Sequence, residues 1–246
     1  MGQLLKVVTT VSLALLLTAG VAFGQNNEAT VEQHAGTSGG LEAQVDQSGS
    51  QHYAEIKQGV VTTQNRVGAK KSEATITQSG SGANAIILQG RNGGFSAKST
   101  AKINQVGDHE AFITQGDGTK SSAEKNNLAT QSQKGNGHVA DIFQGYRTGG
   151  GQSTKTTGNE AAQIQRNGSN NIAEISQGVG SGSYAQDSKA RQLQSGSDLE
   201  AEIFQGTDGN WATGMEAIQK QYGNGHTATT IQSGVNSFAK IEQSNN

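Results

Sequence analysis

The chain has 246 residues, with 18 Lys+Arg against 20 Asp+Glu, a balance that gives no electrostatic pull toward nucleic acid or an anionic membrane. Its 35 Gly, lack of Pro and Cys, 4% aromatic and 32% hydrophobic content exclude a thick apolar core and a disulfide scaffold. Such a chain is either disordered or built round a thin, partly polar core, and the absence of Pro suits a fold in which nearly every backbone N–H is bonded.

The first segment, residues 1–24, carries one charge at Lys6, an apolar run from Val7 through Leu17, and small residues at Ala19, Gly20, Ala22 and Gly24. This pattern predicts a secretory signal peptide. Thr9, Thr10, Ser12 and Thr18 interrupt the run and leave too little to span about 30 Å of hydrocarbon, so no stable membrane insertion is expected once the leader is gone. Cleavage after Gly24, with Ala22 two residues before it, leaves a mature chain starting at Gln25. Residues 25–42 then form an N-terminal segment, and residues 43–246 are repetitive.

One motif, Ala-x-Ile-x-Gln and usually Gly, recurs along the chain. Its copies run Ala54-Ile56-Gln58, Ala85-Ile87-Gln89, Ala111-Ile113-Gln115, Ala140-Ile142-Gln144, Ala173-Ile175-Gln177 and Ala201-Ile203-Gln205. Each is preceded, about 11 residues upstream, by a sister segment. The early sisters read Ala43-Val45-Gln47, Ala74-Ile76-Gln78 and Ala101-Ile103-Gln105. The later ones read Ala129-Gln131-Gln133, Ala161-Gln163-Gln165, Ala190-Gln192-Gln194 and Ala217-Gln219-Gln221, the last paired with Ala228 and Gln232. Short Gly-rich connections inside a pair alternate with longer, variable links between pairs.

Repeated residues two apart have the period of a β-strand, which puts Ala, Ile and Gln on one face. The fold class is therefore all-β: a β-solenoid with two short strands per rung, about seven full rungs and a half-rung at each end. The links are read as surface arcs, since surface loops absorb insertions at little entropic cost. Inward Ala and Ile make the apolar part of the core, each Ile contributing about 1.5–3 kcal/mol on burial. Inward Gln, stacked at about 4.8 Å on its copy in the next rung, forms an amide ladder that rewards correct register. The ladder residues are those of the pairs above together with Gln243. The change from aliphatic to amide in the first-strand centre predicts a C-terminal half that is the less stable when isolated.

At the ends, Ala29-Val31-Gln33 reads as a lone second strand and Ala239-Ile241-Gln243 as a lone first strand. With no polar cap on either side, the two half-rungs are expected to complete one another between successive copies, giving a head-to-tail homopolymer. Two before the second-strand Ala stand His52, Ala83, His109, His138, Asn171, Leu199, His226 and Ser237. A metal or pH-sensing ladder is one reading of the His. The favoured reading is that His, Asn and Ser close a turn by a local hydrogen bond. Outward Phe112, Phe143 and Phe204 are open to two readings, lateral bundling or isolated surface aromatics.

Written across the short turn, the units Gln47, Gly49, His52, Ala54, Gln58, then Gln133, Gly135, His138, Ala140, Gln144, then Gln232, Gly234, Ser237, Ala239, Gln243 resemble the curlin repeat of bacterial curli subunits. The resemblance runs from about Ala43 to Gln243, with His, Ser or Ala where the family places a turn Asn, and with longer links such as that from Gly59 to Ser72. It implies an extracellular amyloid fibre of a biofilm matrix at the bacterial cell surface, supporting adhesion and aggregation. It further implies seeding by a nucleator subunit and export through an outer-membrane secretion pore. No cofactor, metal or nucleic-acid partner is expected, and no enzyme: the carboxylates face outward without a nucleophile or a phosphate-cradling loop. The alternative is a soluble secreted β-solenoid binding protein, an adhesin or an ice-binding protein.

Overall fold

In the computed structural model, residues 16–19, 26–33, 40–59, 69–90, 95–116, 123–146 and 154–245 are described. They form a parallel β-solenoid. First strands stack in chain order into one sheet: Glu42–Ser50, Glu73–Ser81, Thr100–Val106, Leu128–Asn136, Glu160–Ser169, Lys189–Ser197, Glu216–Asn224 and Phe238–Ser244. Second strands stack into another: Glu28–Gln33, Tyr53–Gln58, Asn84–Gln89, His109–Gln115, His138–Gln144, Ile172–Gln177, Glu200–Gln205 and Thr227–Gln232. The predicted two strands per rung are these two sheets.

The register follows the repeat. In the second sheet Ala111 pairs Ala85 and Ala140, Ile113 pairs Ile87 and Ile142, and Gln115 pairs Gln89 and Gln144. A one-residue slip would turn every Ala, Ile and Gln outward, so the buried face holds the alignment. Ile56, Ile87, Ile113, Ile142, Ile175 and Ile203 are fully buried and share one apolar cluster with the Ala columns of both sheets.

The links are more than arcs. Every link from the one after Gln58 onward carries a short strand, and these build a third parallel sheet from Ala69–Lys70, Phe95–Ala97, Ala123–Lys125, Lys155–Thr157, Tyr184–Gln186, Trp211–Thr213 and Gly234–Val235. Ser96, Thr156, Ala185 and Ala212 are buried there. Strands of two or three residues are too short to display alternation, which is why the links read as irregular from sequence.

The tight turn between first and second strand brings glycines of successive rungs together. Gly196 has φ +144°, and a Cβ there would lie 1.7 Å from the carbonyl oxygen of Gly223. Only glycine permits that approach.

The predicted leader lies outside the described residues except for Leu16–Ala19. These form a further strand on the edge of the first sheet, Leu17 pairing with Ala43 and Ala19 with Val45. Among the described residues no helix is long and apolar enough to cross a membrane.

Candidate functional site

Three unbroken amide ladders run along the coil. In the first sheet, Nε2 of Gln47 donates to Oε1 of Gln78 at 2.9 Å, Gln78 to Gln105 at 3.0 Å, and Gln105 to Gln133 at 2.9 Å. The series continues through Gln165, Gln194 and Gln221 to Gln243. In the second sheet it runs from Gln33 through Gln58, Gln89, Gln115, Gln144, Gln177 and Gln205 to Gln232, at 2.5 to 2.8 Å. From Gln47 onward the amides also reach backbone carbonyls: Gln165 Nε2 donates to Val139 O at 2.9 Å and Asn171 O at 2.8 Å. The side chains therefore bond both along the stack and across the rung.

The third ladder begins midway. Gln131 donates to Gln163, Gln163 to Gln192 and Gln192 to Gln219. Ile103 lies beneath Gln131, so Gln131 Oε1 is buried with no donor. At the other end Gln219 Nε2 turns across the rung to Thr230 Oγ1 at 2.9 Å.

The His column is a corner zipper. His52 Nδ1 accepts the backbone N–H of Ala83 at 3.3 Å, His109 Nδ1 that of His138 at 3.2 Å, and His138 Nδ1 that of Asn171 at 3.2 Å. Nε2 of the same rings meets turn carbonyls, Ser48 O, Val106 O and Lys134 O. Asn27 and Asn171 do the same job with Oδ1, accepting from His52 N–H and Leu199 N–H. Here His is a surrogate for a turn Asn, and the geometry needs a neutral ring with its proton on Nε2. Burial holds His109 below the ordinary imidazole range, and burial, reinforced by the charge of His109, brings His138 down to about 4. Among the described residues no group of three or more His, Cys, Asp or Glu could hold a metal.

Ser237 was expected in this column but stands at the other corner, where its N–H reaches Met215 Sδ at 3.3 Å. The reason is that Ala239 belongs to the first sheet, pairing Ala217, so two residues before it is the other bend. Sequence reasoning missed that second column. There Asn127 Oδ1 accepts Asn159 N–H and Asn159 Oδ1 accepts Ser188 N–H, both at 3.0 Å. Its signal was available: Ser, Asn or Met two before most first-strand Ala.

On the outer face of the second sheet, Phe112 and Phe143 lie 6.0 Å apart and Tyr146 follows at 5.5 Å, while Ser176 separates Phe143 from Phe204. Beside them burial, then Glu174 and Glu110, push the Asp141 carboxyl up to about 6.

The ends are unlike. Ala29-Val31-Gln33 lies in the second sheet against Ala54-Ile56-Gln58, and Ala239-Ile241-Gln243 in the first sheet against Ala217-Gln219-Gln221. Ala29, Val31, Ala239 and Ile241 are half-buried, whereas the matching residues inside the coil are sealed. Toward the N-terminus the ladders start with unpaired buried acceptors, Gln33 Oε1 and Gln47 Oε1. Toward the C-terminus Gln232 and Gln243 keep backbone partners but have no glutamine above them. Ile231, Val235 and Phe238 are exposed around that end.

No protein-family model matches the chain, and no curated protein matches it. The ends and the ladders therefore carry the functional argument alone.

Proposed function

We propose that the protein is a secreted structural subunit that assembles head to tail into an extracellular fibre of the curli type. The observation that carries this reading is the complementarity of the two ends. A second copy set on the last rung in continuing register brings Gln33 over Gln232 and Gln47 over Gln243, giving each orphaned Oε1 an amide donor. The same register sets Ala29 on Ala228, Ala43 on Ala239, Val31 on Thr230 and Val45 on Ile241, so every inward column continues with compatible chemistry. A contact between unlike ends does not close and so propagates.

The leader fits the scheme. Leu16–Ala19 occupies the edge of the first sheet that the last strand of another copy would need, with Leu17 where Ala239 would sit. Cleavage after Gly24 opens that edge. A nucleator subunit and an outer-membrane pore, as in curli assembly, complete the proposal, with biofilm adhesion as the role.

The test uses residues 25–246. Thioflavin fluorescence and fibre diffraction should show spontaneous cross-β order at about 4.8 Å. Removing residues 237–246 should slow seeded elongation by at least about tenfold, since the half-rung supplies an inter-copy ladder. Unchanged growth would sink the reading. A monomeric adhesin is the competing reading, favoured by Trp211, 70% exposed beside Tyr184 on the third sheet. It predicts a chain that stays monomeric under the same conditions.

A further inference from the structure

Resting on the head-to-tail reading above, we infer that the joint between copies is gated by protonation of His226, whose neutral ring accepts the backbone N–H of Asn27 in the next copy. The corner column runs Asn27, His52, Ala83, His109, His138, Asn171, Leu199, His226. Within one chain the rule is uniform: a polar member accepts, through Oδ1 or Nδ1, the backbone N–H of the member above it. His226 is the last member among the described residues, with none above it there. Asn27 is the first, with no earlier member of the column beneath it among the described residues.

His226 also differs from the other histidines in a way that marks an unfinished site. Its Nε2 is buried without a partner, whereas Nε2 of His52, His109 and His138 each meets a turn carbonyl. The equivalent carbonyl, four residues earlier at Tyr222, accepts the inter-rung bond from the N–H of Asn245 at 3.3 Å but meets no ring nitrogen. Continuing the column gives Nδ1 of His226 the partner that the fold gives every other acceptor in it.

An imidazolium has N–H on both nitrogens. A protonated His226 would therefore present a donor to the donor of Asn27, and the joint would lose a bond and gain a repulsion. The titratable groups around this corner are the exposed Asp198 and Glu200 of the rung beneath, Tyr222 of the same rung, and Glu28 of the incoming copy.

The fold itself supplies the control, because Asn at this column position makes the same bond without titrating, as at Asn171. Seeded elongation of residues 25–246 would be measured at about pH 7.5 and about pH 5 for the natural sequence, His226→Asn and His226→Leu. The natural sequence should slow at least about fivefold at the lower pH, H226N should change less than about twofold, and H226L should be slow at both. If H226N loses as much rate in acid as the natural sequence, the gate lies elsewhere and the inference is overturned. If H226L elongates as fast as the natural sequence at neutral pH, the bond is not made and the inference is overturned too. Failure of the natural sequence to elongate at neutral pH overturns the fibre reading, and this inference with it.

Discussion

His109 and His138 stack with ring centroids 4.9 Å apart and planes 2° from parallel, and Nδ1 of the first accepts the backbone N–H of the second at 3.2 Å. Two imidazoles in that position cannot both be charged at low cost, so acid works against the corner they close.

The corner held by His138 should weaken in mild acid. His138 binds its proton more weakly in the fold, at about 4, than an ordinary imidazole at 6.5. Its contribution is therefore complete above about pH 6.5 and is lost as the pH drops toward 4, where the curve levels. Between pH 7 and pH 4.5 this group withdraws about 1–2 kcal/mol, so His138→Asn should turn the pH slope of urea-derived stability toward greater stability in acid by that amount. Asp141, raised from 3.8 to about 6, acts in the opposite sense and gains stability over that interval, so Asp141→Asn should steepen the slope.

Ladder position should matter more than residue type. Gln131→Ile places Ile on Ile103 and merely moves the orphaned acceptor up to Gln163, so stability should change by less than about 1 kcal/mol. Gln163→Ile is the same exchange in mid-ladder, where it orphans a second acceptor, Gln192 Oε1, and leaves Gln131 Nε2 with only its backbone partners Phe112 O and Ala140 O. It should cost about 1–3 kcal/mol, read as a drop in the urea midpoint at constant slope. Equal costs at the two sites would contradict the ladder account.

Gly196→Ala should be among the most damaging small substitutions. The added methyl would collide with Gly223 O in the next rung, in a backbone conformation that L-residues avoid. A loss of more than about 2 kcal/mol is expected by thermal unfolding, against less than about 1 kcal/mol for Ala at the half-buried Ser195 nearby, whose Oγ only accepts a surface bond from Asn167.

The sheets themselves were legible from sequence because their signal is strict. Ala, Ile and Gln at a spacing of two name the buried face, and a buried face names the register, as Ile113 on Ile142 shows. The terminal strands at Ala29 and Ala239 were readable for the same reason, although Leu16–Ala19 joins the first of them in its turn of the coil. What stayed hidden lacked alternation or needed the third dimension. Tyr184–Gln186 and its neighbours are too short to carry a period, and Ser237 was set at the wrong corner because the spacing to its alanine is the same at both bends. The His column could be found but not interpreted, since only the position of Nδ1 against the next N–H separates a turn closure from a metal ladder.

The ladders also give the molecule an electrical front and back. Along the coil axis successive peptide units of a strand point in opposite senses and largely cancel, but the side-chain amides from Gln33 to Gln205 and from Gln47 to Gln221 all aim N–H toward the later rung, so these small dipoles add along the axis. Meeting front to front would set carbonyl oxygen against carbonyl oxygen, and back to back would set N–H against N–H. A symmetric two-fold pair through the ends is thus disfavoured by the same glutamines that hold the rungs, and any row of these molecules has a direction of travel.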